Sequence, residues 1–229
     1  MFTAAAPRMT ARVLAVCLVA PTAAAQRHEY FTFDPTLERW VNGAADPTGD
    51  LRRAVFDSPW QDGRRSVAIE RLVERLASLR AAGADIRLVA YSADSARSGQ
   101  LRDEGMAATL ARAMADTTRI GVVLSGNLHN RLRAGTAISA DYRPAAFEVA
   151  KRLGSARVRS LDMSYDAGTA WTCTGPRPAD CAMRKVGARH PVPRWTIQLG
   201  DSLDSEGYHG RYGVGAVTAA GPAIHRGGS

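Results

Sequence analysis

Several scarcities in this sequence exclude whole classes of protein. Only two of the 30 basic residues are lysine, Lys151 and Lys185, and the arginines are scattered without a run of five or more basic residues. The net charge of +8 therefore lacks the clustered stripe of a nucleic-acid-binding protein, and we expect no nucleic-acid partner. The chain also lacks a Gly-x-Ser-x-Gly motif, so Ser125 is not predicted to be a nucleophile on a strained elbow.

The N-terminal residues have the layout of a cleavable signal peptide. Arg8 and Arg12 accompany the apolar run "VLAVCLVAP", which is too short to span a bilayer as a helix. Small residues then lead to a cleavage position after Ala25. We therefore predict a signal peptide over 1–25 and a single domain over 26–229, with a periplasmic or secreted location. The alternative is an unprocessed apolar helix at the N-terminus.

Cysteine is scarce, and its placement favours a disulfide. The sequence has three cysteines, and removal of a signal peptide would take Cys17 and leave Cys173 and Cys181. An even count in an exported chain indicates a disulfide, and the glycine and prolines between the two residues are typical of a loop. A zinc site would need further ligands, for which His190 is the only candidate close in sequence.

Helical and extended patterns alternate over the second and third quarters of the chain. Residues 27–65 are mixed and rich in turn residues. Later segments with helical spacing are 66–83, 101–116 and 144–154, and segments with extended patterns are 86–91, 119–126, 157–165, 194–200 and 210–220. This alternation predicts an α/β fold with a mostly parallel sheet and flanking helices.

A histidine follows the most apolar of these predicted strands. The run "RIGVVLSG" is followed by "NLHN", which puts Gly126, Asn127 and His129 at the strand end. Ligands of open α/β sheets bind outside the carboxyl ends of strands, where a neutral imidazole can act as a general base or a metal ligand. The alternative is that Gly126 and Asn127 form only a turn and His129 is an ordinary loop residue.

Two motifs resemble one superfamily of exported and membrane-associated proteins, which includes the ChaN haem-binding proteins, the Tiki and TraB proteins and the erythromycin esterases. "LRDEGMA" matches the Arg-Asp then Met-Ala pattern of a helix, with Arg102, Asp103 and Met106. "GNLH" matches the Gly-Asn-x-His that ends a strand. The resemblance covers about residues 55–225.

The resemblance implies a ligand pocket at the carboxyl ends of the strands. Its members would be Gly126, Asn127, His129, Arg102 and Met106, although Met106 shares a helical spacing with core residues. Arg102 offers a planar fork of donors for a carboxylate, and Asp103 could hold another side chain. In an enzyme, the catalytic residues would be His129, Arg102 and Asp103.

One motif of the superfamily is missing. The relatives carry Gly-Glu-x-His-Gly on their first strand, and its Glu and His belong to the reaction centre of the hydrolytic members. The only early pair here is His28–Glu29, without the glycines. We therefore expect the first βα unit to be absent, either in a shortened gene or in a relative that has discarded catalysis.

Three functions remain open from the sequence. The favoured one is binding of a small-molecule ligand, with haem as the ligand that the resemblance implies and Tyr91, Tyr142 and Tyr165 as available axial ligands. The second is an extracytoplasmic hydrolase, an esterase or a metal-dependent peptidase, with His129 as base or as ligand to a divalent metal beside Asp94, Asp103 or His28. The third is an inactive fragment that needs a partner, either a second copy or a membrane-associated protein.

Overall fold

The structure, a computed structural model, describes residues 14–19, 27–32, 35–46, 48–57, 63, 65–91, 99–116, 118–136, 139–174 and 177–223. The strands of this described part are β1 (Leu14–Val19), β2 (Arg27–Thr32), β3 (Ile86–Ala90), β4 (Arg119–Gly126), β5 (Val158–Ser164), β6 (Gly168–Cys173), β7 (Cys181–Val186), β8 (Ile197–Leu199) and β9 (Gly210–Gly213). Its helices are α1 (Pro35–Val41), α2 (Asp50–Phe56), α3 (Val67–Ala81), α4 (Gly99–Ala113) and α5 (Ala145–Leu153).

The main sheet is mixed, so the prediction of a mostly parallel sheet is wrong. Its seven strands lie in the order β3-β2-β4-β1-β5-β9-β8. Strand β2 is parallel to β3 and β4, and β5 is parallel to β9. The remaining neighbours are antiparallel, because β1 runs against both β4 and β5 and the short edge strand β8 runs against β9. Antiparallel neighbours need no helical crossover, and the helix–strand alternation of the sequence therefore did not reveal them.

Strand β1 lies within the segment predicted to be the apolar core of a signal peptide. Its backbone pairs with β4 from Leu14 opposite Gly126 to Val19 opposite Gly121. Its other edge pairs with β5, where Val16 is opposite Leu161. This segment therefore fills the position between β4 and β5 in the sheet, whereas Arg8, Arg12 and Ala25 lie outside the described residues.

A strand and helices precede β3, and the expectation that the first βα unit is absent is therefore also wrong. Strand β2 contains the His28–Glu29 pair and is followed by α1, α2 and α3 before the chain enters β3. It lies between β3 and β4 and is parallel to both. The sequence concealed this unit because residues 27–65 are rich in turn residues and α1 and α2 are only seven residues long.

Helices pack on both faces of the sheet. On β3, Ile86 and Leu88 belong to a core formed with α1, α2 and α3, whereas Val89 belongs to a core formed with α4 and α5. The alternation follows from the strand period of two residues. The three predicted helices are present within a few residues of their expected ends, and Gly83 has the expected positive φ of 92° just after α3.

A separate hairpin, β6 and β7, carries the predicted disulfide. Its strands are antiparallel, and Cys173 lies directly opposite Cys181. The two sulfurs are bonded, and the Cα atoms are 3.9 Å apart. The prediction of this disulfide is confirmed, and His190 is not combined with the cysteines in a zinc site.

Within the described ranges, no helix is both long enough and apolar enough to cross a bilayer.

Candidate functional site

His129 lies in a single turn of 3-10 helix, Asn127–Asn130, that directly follows β4. The predicted change from strand to turn at Gly126 is therefore present. The turn is stabilised locally, because the Asn127 side-chain oxygen accepts a hydrogen bond from the Leu128 amide at 2.9 Å. Gly126 is exposed, and a Cβ built on it would lie 3.5 Å from Cδ2 of the His129 ring. The ring thus packs beside the end of the strand.

Asp103 and His129 form a short hydrogen-bonded pair. Asp103 is on α4 and is fully buried, and its Oδ1 lies 2.6 Å from Nδ1 of His129. The side chain of His129 is 26% exposed. Its second ring nitrogen, Nε2, has no hydrogen-bond partner among the residues that the structure describes. A carboxylate on one ring nitrogen fixes the tautomer and leaves the other nitrogen available for a proton or a metal ion.

Tyr142 completes this group, and the sequence analysis had considered it only as a haem ligand. Its hydroxyl donates to Oδ2 of Asp103, so that each oxygen of the buried carboxylate has a side-chain partner. Burial raises the pKa of Tyr142, and the bond to Asp103 raises it further. Tyr142 therefore stays protonated at neutral pH and acts as a fixed donor.

Arg102 lies beside this group on α4. It is half-buried, and its positive charge acts against burial by lowering the pKa of Tyr142. Arg102 and Asp103 are consecutive residues of α4, and the charge of Arg102 is close enough to Tyr142 to affect its pKa. A guanidinium is suited to hold an anionic or carbonyl oxygen.

The turn that carries His129 is attached to a distant loop, residues 204–208. The Tyr208 hydroxyl donates to the Asn127 carbonyl at 2.7 Å, and the Leu132 amide donates to the Gly207 carbonyl at 2.8 Å. Arg131 donates through Nε to the Glu206 carbonyl at 2.6 Å. These bonds hold the turn that carries His129 in addition to its contact with Asp103 on α4.

Other predicted site residues lie elsewhere. Met106 is 4% exposed and belongs to the core with Leu110 and Met114, as its helical spacing indicated. Tyr91 is buried and its hydroxyl donates to the Leu124 carbonyl at 2.8 Å, while Tyr165 packs against the core near the hairpin.

The two early candidates for metal ligands are not brought to His129. Asp94 lies outside the described residues. The backbone of His28 is opposite Ile120, six residues before Gly126 along β4. At the rise of a β-strand this places it about 20 Å from the end that carries His129.

A second group of ionisable residues was missed by the sequence analysis. Asp162 on β5, His190 after β7 and Glu206 between β8 and β9 each present one ligand atom, and these atoms lie within 4.8 Å of one another. Their separation along the chain is large, and none belongs to a short motif. His190 was expected only as a possible zinc ligand beside the cysteines, and Asp162 was marked as a charged residue in an otherwise buried strand.

A cleft of about 380 Å³ lies beside the second group, and His129 is not among the residues that line it. Its lining residues are Gln198, Leu199, Gly200, Ser202, Leu203, Asp204, Tyr208, His209, Gly210 and Arg211.

Comparisons of the chain with known protein families, with curated proteins and with solved structures find no match.

Proposed function

We propose that this chain is an exported hydrolase in which His129, oriented by Asp103, acts as the general base. The observation that carries the proposal is the 2.6 Å contact between the fully buried Asp103 and a half-exposed imidazole. A buried carboxylate holds the ring in one tautomer and stabilises the imidazolium that forms when Nε2 takes a proton. This arrangement is suited to general acid–base chemistry, because Nε2 is free to take a proton.

In this proposal, His129 removes a proton from a water molecule that attacks the carbonyl carbon of an ester. The imidazolium then gives this proton to the alkoxide that leaves as the ester C–O bond breaks, so that a carboxylic acid and an alcohol are released. Arg102 lies on the same helix as Asp103 and would bind the oxygen on which negative charge develops. Tyr142 is held by Asp103 and positions that carboxylate without entering the reaction. Export is supported by the disulfide, because such bonds persist in oxidising compartments.

The test is hydrolysis of a series of chromogenic carboxylic esters by purified full-length protein. We expect His129→Ala to lower kcat/KM by about 10² or more. Asp103→Asn should act in the same direction, because an amide no longer selects the required tautomer. His209→Asn is the matched control, since it removes a half-buried histidine that does not contact Asp103.

Equal rates for the wild type and His129→Ala would exclude His129 as the base. Unfolding curves of all variants must accompany the rates, because Asp103 is buried. Activity lost in step with folding would indicate a structural role.

The second candidate function is haem binding, with Nε2 of His129 as the axial ligand. It is favoured by the same Asp103 contact, because metal-bound histidines commonly donate their other nitrogen to a carboxylate. Titration of haem against the wild type, His129→Ala and His209→Asn distinguishes the two functions. A Soret shift that only His129→Ala abolishes would favour haem, and its absence from the wild type would exclude it.

A further inference from the structure

Asp162 is an unusual buried acid on β5. Its side chain has no exposed area, and Oδ2 accepts a hydrogen bond from Nε of Arg189 at 2.9 Å, with Nη2 of the same guanidinium 2.8 Å away. The other oxygen, Oδ1, is buried and has no hydrogen-bond partner in the described part of the chain. A buried carboxylate oxygen without a donor costs free energy, so a native site that retains one calls for a missing ligand.

Two further side chains with metal-ligand atoms lie close to this carboxylate. One ligand atom each from Asp162, His190 and Glu206 lies within 4.8 Å of the other two. His190 Nε2 is 3.1 Å from Glu206 Oε2, but the two atoms are not aligned for a hydrogen bond. Two donors bound to one tetrahedral zinc ion are separated by about 3.4 Å, given bonds of about 2.1 Å.

We propose that Asp162, His190 and Glu206 bind a divalent transition-metal ion, with zinc(II) as the ion that fits best. Carboxylate oxygens and imidazole nitrogens are both ligands of zinc, and three protein ligands leave the fourth tetrahedral position open. The imidazole disfavours magnesium and calcium, which prefer oxygen ligands alone. The site is separate from His129 and Asp103, and it does not depend on the function proposed for them.

Each ligand is held in place by its neighbours. Ser164 donates through its hydroxyl to the His190 carbonyl, and the Arg189 and Tyr165 backbones exchange hydrogen bonds at 2.8 and 3.1 Å. The loop of Glu206 is held by Asp204, whose Oδ1 accepts bonds from three consecutive amides at 2.9, 2.9 and 3.0 Å. A metal ion would therefore order only the exposed side chains of His190 and Glu206.

Charged side chains surround the three ligands. The carboxylates of Asp162, Asp204 and Glu206 pair with the guanidiniums of Arg189 and Arg211. The Arg131 guanidinium is also close, because its Nε donates to the Glu206 carbonyl at 2.6 Å. Arg189 contacts Oδ2 of Asp162, which leaves Oδ1 as the oxygen for the metal.

The ion can reach the site from solvent. The side chains of His190 and Glu206 are 43% and 38% exposed. Asp204 and Arg211, which flank Glu206, also line the cleft of about 380 Å³. The ligand oxygens of Asp162 and Glu206 are buried, so an ion would enter from the side of the exposed His190.

The test is titration of zinc(II) into chelator-treated, dialysed full-length protein, in competition with a chromogenic chelator. We expect one equivalent to bind to the wild type. His190→Asn and Glu206→Gln should each lower the zinc affinity by about tenfold or more. Asparagine is chosen at position 190 because the positive φ of 42° suits it. Zinc should raise the Tm of the wild type and leave the Tm of both variants nearly unchanged.

Three controls make the result decisive. His209→Asn and Asp116→Asn remove a histidine and an exposed carboxylate outside the site, and both should bind zinc like the wild type. His129→Ala should also retain the equivalent. Equal affinity of the wild type, His190→Asn and Glu206→Gln would overturn the proposal and leave an ion-pair network. If only His129→Ala failed to bind the zinc ion, the ion would lie beside Asp103, and this result would also overturn the proposal.

Discussion

Asp103 is the residue on which the arrangement around His129 depends. A buried carboxylate is stable only when its oxygens are hydrogen bonded, and here His129 and Tyr142 each satisfy one oxygen. The partners are 26 and 39 residues further along the chain. One carboxylate on α4 therefore fixes both the turn after β4 and the segment before α5.

His209 offers a test of the fold by pH. Burial lowers the pKa of His209, and the charge of Arg159 lowers it further. Its Nδ1 accepts a hydrogen bond from the Ser160 amide at 3.3 Å, which requires an unprotonated nitrogen. The unfolded chain therefore binds this proton more readily than the folded chain does. The contribution of His209 to stability is complete above about pH 6.5 and is lost as the pH falls through the folded pKa.

We expect the free energy of unfolding of the wild type to fall relative to that of His209→Gln between about pH 7.5 and pH 5. Urea unfolding at a series of pH values measures the difference. Other histidines titrate in both proteins and cancel in the comparison. A difference that does not change with pH would contradict the assignment.

Part of the candidate site could be predicted from the sequence. His129 and Asp103 were chosen from two short motifs, and the structure places them in contact. Tyr142 was not predicted as a partner of Asp103, and His190 and Glu206 were not predicted as partners of Asp162. All three lie in loops without periodicity. Their proximity depends on how the loops fold over the strand ends, which no local pattern records.

At the scale of elements, the hairpin of β6 and β7 is held by a disulfide as well as by the backbone hydrogen bonds between its strands. The connection contains Gly175 and Pro176 and is closed by the Cys173–Cys181 disulfide. A closed loop of this size reduces the entropy of the unfolded chain and should stabilise the protein by about 2–3 kcal/mol.

We expect the double variant Cys173→Ser, Cys181→Ser to lose about that free energy of unfolding, as measured with urea. The matched control is the wild type under reducing conditions, which should lose a similar amount. The oxidised wild type should also have a mass lower by two hydrogen atoms than that of the reduced chain. Equal stability of the oxidised and reduced chains would contradict a structural role of this bond.

Prediction of elements succeeded where periodicity is long. Helix α3 has fifteen residues, and its buried Val73 and Leu76 repeat at helical spacing. Strand β2 and the helices α1 and α2 escaped detection, since each spans only six or seven residues. Strands β6 and β7 escaped because the disulfide and the prolines suggested a loop.

At the scale of the whole molecule, the direction of each strand is set by its tertiary neighbours. Strand β1 shows this most clearly, because an apolar run of this kind equally suits a signal peptide and an inner strand. In the structure its backbone joins β4 to β5, and these two strands are not paired with each other. The continuity of the sheet therefore depends on residues 14–19.

We expect a chain that begins at Gln26 to be less stable than the full chain, or to dimerise. Without β1, the facing edges of β4 and β5 expose amides and carbonyls, and exposed edges pair with another chain. Each backbone hydrogen bond that is not replaced costs about 1 kcal/mol. Urea unfolding over a range of protein concentrations, with analytical ultracentrifugation, separates the two outcomes.

A full-length Val16→Pro variant is the matched control for this deletion. Proline removes a ladder donor from the middle of β1 while the length of the chain is kept, so the variant should show the same change as the deletion. The mass of the exported protein then decides which form exists after export. Cleavage after Ala25 would yield the chain that lacks β1, and its two open edges make a second copy the natural partner. A deletion chain that stays monomeric and unfolds like the full chain at every concentration would show that the sheet does not need β1.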